Sequence, residues 1–435
     1  MKGLKQYVQI IFVALVILFS FKTSIAQDSL SSFETNPLFT NAHVGVAVFD
    51  PSTNKYLYNY QGNKFFVPAS NLKIFTCYAA MKTLEDSLTG LFYTLDDDSS
   101  YLVKFSGDPT FLHPDFITQP VFDFFSKHHN NLTVIAANWK NKRYGNGWAW
   151  NDYSAGYMPE LSSIPIYGNT VNFLRDKNKV IVTPQWFKDS LTIYGNTQSG
   201  KYSIERNFYN NQFSLVSSSS IFVKKDIPFI TSDMLSIDLL QDTLLELINY
   251  TNADIVNKVS WQKIKSQPTD TVLKIMMNRS DNFYAEQLLL MIGNEKLQET
   301  QQGNIINNLQ NTYFKDLPQQ PRWEDGSGLS RHNLVTPEDF IWVLNKMRTE
   351  FNADRIKAIF PTGNTGTLSG YYKNLSGKIF VKTGSLSNNI SLSGFLITNS
   401  GKELIFSILV NNHQSSTDAI KKAMENYLTD IIIKL

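Results

Sequence analysis

The sequence predicts an α+β fold: an antiparallel sheet built from both ends of the chain, flanked by helices, with a β-rich insertion. Strand-like runs lie near the start and near the end of the chain. Helical periodicity is concentrated from about residue 270 to 347 and returns in the last segment. Between about 100 and 260 short β-like runs alternate with loops rich in Asn, Gly, Ser and Lys, and helical periodicity is sparse.

In order, 42–50 (AHVGVAVFD) is β-rich, 51–54 (PSTN) is a turn, and 55–60 (KYLYNY) alternates as a returning strand. Pro68-Ala69-Ser70 introduces a helix over 71–84, with Ser70 at or near its N-terminus. The acidic run 96–98 reads as an exposed turn rather than a metal site. Strand runs are expected at 132–137, 180–183 and 221–224, with His128 and His129 in a polar loop. Helical segments follow at 273–276, 283–292, 305–309 and 337–347, then strands at 378–383, 390–398 and 403–410. The last segment, 417–433, is an amphipathic helix whose apolar face includes Ile420, Met424, Tyr427 and Ile431. Packing on the sheet is the expected use of that face, with peripheral membrane contact as the lesser alternative.

A chain of 435 residues, 42% hydrophobic and 13% aromatic, can bury a large core and is not disordered. Residues 1–26 combine Lys2 and Lys5, a twelve-residue apolar run (10–21) and a small-x-Ala end at Ala26. That is the pattern of a cleavable export signal, and the run is short of the about 20 residues a membrane span needs. The segment holds three of the 40 Lys and Arg and none of the 38 Asp and Glu, so the remainder is nearly neutral. No nucleic-acid partner is expected of such a chain. The lone Cys77 excludes an internal disulfide and, among Ile74, Phe75, Tyr78 and Ala79, reads as a small buried hydrophobe.

The metal-protease, phosphate-loop, dinucleotide and G-x-S-x-G signatures are absent, and the six His show no ligand spacing. No metal and no cofactor is expected. Three other motifs occur in order: Ser70-Asn71-Leu72-Lys73, Ser280-Asp281-Asn282 and Lys382-Thr383-Gly384. Residues three apart on a helix share a face, and an oxygen at a helix start feels the positive end of the dipole. Serine needs a base, and Lys73 serves only when neutral. Moving a lysine from about 10.4 to near 7 costs roughly 4–5 kcal/mol, which burial and a second cation supply. Lys382 is that cation. Ser280 can relay a proton to a leaving amine, and Asn282 can hold Lys73 and a substrate amide. Lys382, Thr383 and Ser385 can bind a substrate carboxylate, and Gly384 leaves room for close backbone approach. The backbone N–H groups of Ser70 and Ser385 could form an oxyanion hole. Other S-x-x-K strings at Ser52–Lys55 and Ser260–Lys263 fall in a turn and in a stretch without a helix-start signal.

On these motifs the chain resembles the exported D-alanyl-D-alanine carboxypeptidase/endopeptidases, the class C low-molecular-mass penicillin-binding proteins. Pro68–Lys73, Ser106–Thr110, Asp325–Ser330 and Thr365–Leu368 are similar to further family segments, and the 210 residues from Ser70 to Ser280 fit the family's inserted domains. Ser385 stands where the family often has Thr. The resemblance implies a penicillin-recognising transpeptidase/β-lactamase-like domain. It implies a Ser70 acyl-enzyme, proton transfer by Lys73 and Ser280, and substrate contacts at Asn282, Lys382, Thr383, Gly384 and Ser385. The expected partners are peptidoglycan stem peptides, with β-lactams as covalent inhibitors, in the periplasm. Expected divisions are a signal at 1–26, a discontinuous peptidase domain at 27–98 and 262–435, and an insertion of one or two subdomains at 99–261. A β-lactamase or esterase on the same fold, or a silent cell-wall-binding protein, are the alternatives.

Overall fold

The computed structural model describes residues 33–96, 98–137, 139, 141–176, 179–195, 202–216, 223–252 and 260–435. The export segment expected over 1–26 lies outside them. The described chain divides into two compact units. One takes the chain up to Ile74 with Leu317–Arg322 and Asn333–Leu435; the other takes Phe75–Asp316 and Trp323–His332.

The first unit is built on an antiparallel sheet of β1 (His43–Asp50), β2 (Lys55–Tyr60), β3 (Ile379–Leu386), β4 (Asn389–Ile397) and β5 (Glu403–Asn411). Its spatial order is β3-β4-β5-β1-β2, so the N-terminal strand pairs with the C-terminal one, His43 opposite Asn411. β1, β4 and β5 are buried along nearly their whole length. Strands covered on both faces read as continuous apolar runs rather than alternating ones. β2 is largely exposed, as its Lys, Asn and Tyr content suits an edge.

One helix is α1 (Lys73–Thr83), inside which the unit's chain gives way to the other unit after Ile74. α2 (Pro337–Glu350) starts with a capping box between Thr336 and Asp339 and Pro337 in its first turn. It lies on one face of the sheet, where Pro337 is 2.9 Å from the position a Cβ on Gly45 would take. α3 (Thr417–Lys434) is capped by Ser416 and buries Ile420, Met424, Tyr427, Leu428, Ile431 and Ile432. They join Val46, Val48, Leu392 and Phe406 in one core, so the amphipathic face is spent on the sheet. Among the described residues no helix is long and apolar enough to cross a membrane.

The second unit contains a mixed five-stranded sheet ordered Asn249–Thr251, Leu132–Ile135, Tyr101–Phe105, Ser87–Leu95, Gln262–Pro268. Strands on either side of positions 98/99 and 261/262 therefore belong to one sheet. Two three-stranded sheets accompany it, with Val103, Phe125, Phe173 and Phe213 in a shared core. Helices Pro120–His128 and Asp233–Leu244 also fall in the stretch expected to be β-rich. His128 closes the first of these and packs on Tyr101 and Phe124 instead of standing in a polar loop. The strand expected at 221–224 is Lys224–Pro228, with 221 and 222 outside the described residues. Cys77 is buried, its Sγ 3.9 Å from Met81 Sδ. Helices Thr269–Arg279, Asn282–Ile292 and Gln302–Thr312 complete the unit.

Candidate active site

The nucleophile segment differs from the helix expected at 71–84. Ala69–Leu72 forms a single 3₁₀ turn, and the α-helix begins only at Lys73. Pro68 precedes the turn, and Ala69 takes φ +50°, a left-handed conformation that an α-helix start does not use. The tighter turn has a chemical result. At three residues per turn, side chains i and i+3 eclipse. Lys73 Nζ accordingly lies 3.0 Å from Ser70 Oγ. Ser70 is half-buried, while Lys73 is withdrawn from water completely.

The sheet fixes that turn from beneath. Ser391 Oγ donates to Pro68 O at 2.6 Å, and Asn71 Nδ2 donates to Ser393 Oγ at 2.8 Å. Ser393 shares a 2.8 Å hydrogen bond with Ser407 on β5. Asn411 Oδ1 accepts the Val67 N–H at 2.7 Å, and its Nδ2 donates to Val67 O at 3.1 Å. Sequence reading missed these groups. Their signal was present: serines at 391 and 393 alternate within an otherwise apolar strand, placing two hydroxyls on one buried face.

β3 brings the third motif to the same place. A Cβ on Gly384 would sit 2.5 Å from Pro68 O and 2.9 Å from Asn71 N, so the nucleophile turn packs where a side chain would be. Lys382 is fully buried, and its Nζ donates to Thr383 O at 2.8 Å. Burial first, and the charge of Lys73 second, push the Lys382 amine well below the ordinary lysine range. Two ammonium groups in one dry site repel, which is why the charge of Lys73 disfavours a charged Lys382. Thr383 Oγ1 donates to Thr367 Oγ1 at 2.8 Å, tying the 365–368 segment to this strand. Ser385 is exposed.

The second motif lies in the second unit. Ser280 caps the C-terminus of Thr269–Arg279 with φ +60°, and Asp281 caps the N-terminus of the next helix, its Oδ1 accepting the Tyr284 N–H at 2.9 Å. Asn282 Nδ2 donates to Tyr157 O at 2.9 Å. Ser280 and Asn282 line a cavity of about 290 Å³ with His113, Asp115 and Arg279. The Asp325–Ser330 segment is a loop folded around two buried carboxylates. Glu286 accepts the N–H groups of Gly326 and Ser327, and Asp325 accepts those of Gly328 and Ser330.

The other S-x-x-K strings form no such pair. Ser52 donates to Asp50 Oδ1 at 2.6 Å in the β1–β2 turn, and Lys263 pairs with Glu85 at 2.7 Å.

A partly exposed serine beside a buried amine, with a second buried cation whose pKa is depressed, is the equipment of a lysine-assisted serine nucleophile. The chain is 24% identical to the D-alanyl-D-alanine carboxypeptidase DacB of Haemophilus influenzae, over 88% of each chain. It is 25% identical to the penicillin-sensitive carboxypeptidase A of Dictyostelium discoideum, over 90% of this chain and 88% of that one. Its fold is that of the crystal structure of penicillin-binding protein 4 from H. influenzae, with a TM-score of 0.73 at 20% identity, over 93% of this chain and 99% of that one. Residues 26–431 match the D-Ala-D-Ala carboxypeptidase 3 (S13) family, and the chain belongs to that family as a serine-type D-Ala-D-Ala carboxypeptidase of the class C penicillin-binding kind.

Proposed function

We propose that the enzyme acts in the periplasm on peptidoglycan stem peptides, removing terminal D-alanine and cutting D-Ala–meso-diaminopimelate cross-links through an acyl-enzyme on Ser70. The observation that carries this is the 3.0 Å approach of the buried Lys73 amine to Ser70 Oγ. An ammonium donates to that oxygen; once neutral, the amine accepts the Ser70 hydroxyl proton as Oγ attacks the carbonyl. The backbone N–H groups of Ser70 and Ser385 stabilise the oxyanion. Ser280 carries the proton to the leaving amine, Asn282 holds the substrate amide, and Lys382, Thr383 and Ser385 bind the terminal carboxylate. Gly384 keeps the strand flat against the nucleophile turn. Water then hydrolyses the ester.

A β-lactam presents a strained amide and a carboxylate to the same groups, and acylates Ser70 without rapid release. Similarity to the Dictyostelium penicillin-sensitive carboxypeptidase supports that sensitivity here. The positive, apolar and small-residue pattern of 1–26 supports export. Residues 27–98 and 262–435 hold the S-x-x-K, S-D-N and K-T-G motifs, which supports reading 99–261 as an insertion.

The test is fluorescent-penicillin labelling and muropeptide digestion by wild type and Ser70→Ala. Wild type should label and should release D-alanine from pentapeptide and monomers from cross-linked dimer. Full labelling of a folded Ser70→Ala protein would remove Ser70 from the chemistry; an untouched dimer would remove the endopeptidase activity.

A further inference from the structure

The turn that presents Ser280 is held by charges from a distant loop. Arg279 Nη2 and Nε lie 3.0 and 3.1 Å from Asp281 Oδ2, the middle residue of the second motif. The same guanidinium forms a two-pronged pair with Asp115, Nη1 to Oδ1 at 2.9 Å and Nη2 to Oδ2 at 2.6 Å. Asp115 Oδ2 also accepts the Tyr284 hydroxyl at 2.8 Å, and Tyr284 is fully buried. His113 Nδ1 accepts the Asp115 N–H at 3.1 Å and stands 3.0 Å from the Tyr284 oxygen. That acceptor role requires the imidazole to be unprotonated at Nδ1, in keeping with burial, which pushes the His113 pKa down.

Ser280 needs such support. Its φ of +60° is a conformation L-residues avoid, at a cost of about 1–2 kcal/mol, and it persists only where neighbours dictate it. The Arg279, Asp115 and Asp281 side chains are 46%, 21% and 19% exposed, so their pairing contributes little to stability. A planar fork nevertheless fixes direction. Arg279 binds Asp281 on one side and Asp115 on the other, and Asp281 in turn caps the helix that begins with Asn282.

We propose that Arg279 and Asp115 are positioning residues for the reaction, fixing Asp281 and through it the left-handed turn that sets Ser280 and Asn282. This rests on Ser280 acting in proton transfer. The test uses purified enzyme and stopped-flow acylation by nitrocefin over a concentration series, which separates the acylation rate constant from the affinity of the preceding complex. Ser280→Ala, Asp115→Asn and Arg279→Gln are compared at 25 °C, with near-ultraviolet circular dichroism as the folding control. Each should lower the acylation rate constant about 10–100-fold with the initial affinity within threefold of wild type. Should Arg279→Gln or Asp115→Asn not fold, Tyr284→Phe, which removes only the hydroxyl on Asp115, is measured in the same way with the same expectation. If Ser280→Ala is slow while the folded network variants acylate at wild-type rate, the positioning role is overturned and the Ser280 reading stands. If Ser280→Ala is itself unimpaired, both are overturned.

Discussion

Lys382 is buried against the charge of Lys73, and that repulsion, after burial itself, holds the Lys382 amine below its usual range. The Lys382 amine therefore gives up its proton at a pH where an exposed lysine would keep it. The proposed acylation needs a neutral amine at Lys73, so its rate should climb as pH rises. A rate–pH profile for penicillin acylation, with Ser280→Ala for comparison, measures that rise; a flat profile between pH 6 and 9 would contradict a lysine base.

The same burial has a stability sign. A lysine whose folded pKa lies below its unfolded value binds fewer protons when folded, so unfolding free energy rises with pH between those two values. Below the folded pKa the cost of the buried charge is felt in full. Lys382→Met should raise the melting temperature at pH 7, with a gain that shrinks towards pH 10, while acylation falls about 100-fold or more. Differential scanning fluorimetry over that range checks the first part and nitrocefin kinetics the second.

Lys73→Ala removes the proposed base and should slow acylation at least about 100-fold. An unchanged rate in a folded variant would mean that another group takes the Ser70 proton.

Gly384→Ala places a methyl group 2.5 Å from Pro68 O and 2.9 Å from Asn71 N, both backbone atoms of the nucleophile turn. Turn or strand must shift. Overpacking of this kind costs about 1–3 kcal/mol, and a displacement of about 1 Å at the attacking oxygen costs about 100-fold in rate. Urea unfolding and acylation kinetics read the two effects separately.

Asp108 is fully buried in the 106–110 segment, and burial pushes its carboxyl up to about 6 despite hydrogen bonds from Thr110. Between its unfolded pKa, near 3.8, and about 6 the folded protein holds more protons than the unfolded chain, so stability declines as pH rises through that window. Asp339 acts in the same direction. Asp108→Asn should remove its share of the decline, seen as a smaller fall in unfolding free energy from pH 4.5 to 7 than in wild type.

The sheet was legible in the sequence because its central strands are apolar throughout and its edge strand alternates, so hydrophobic pattern and turn residues mark both. The last helix was legible for the same reason: Ile420, Met424, Tyr427 and Ile431 recur at helical spacing. The closeness of Ser70 and Lys73 was legible because their motif is local. The 3₁₀ turn was not, since it is set by Pro68, the left-handed Ala69 and hydrogen bonds from strands more than 300 residues away. Asp115 was equally hidden: its role depends on Arg279, 164 residues later. The helix Asn282–Ile292 was expected at 283–292, although its burial from Phe283 onward leaves it no polar face.

The pairing of β1 with β5 has a developmental consequence. β1, the first strand of the sheet and upstream of Ser70, has no partner on that side until residues 403–411 have been made. Any shortened product ending before Asn411 lacks the asparagine that grips Val67 on both sides. A chain shortened in this way is expected to leave the segment leading into the Ser70 turn without that anchor.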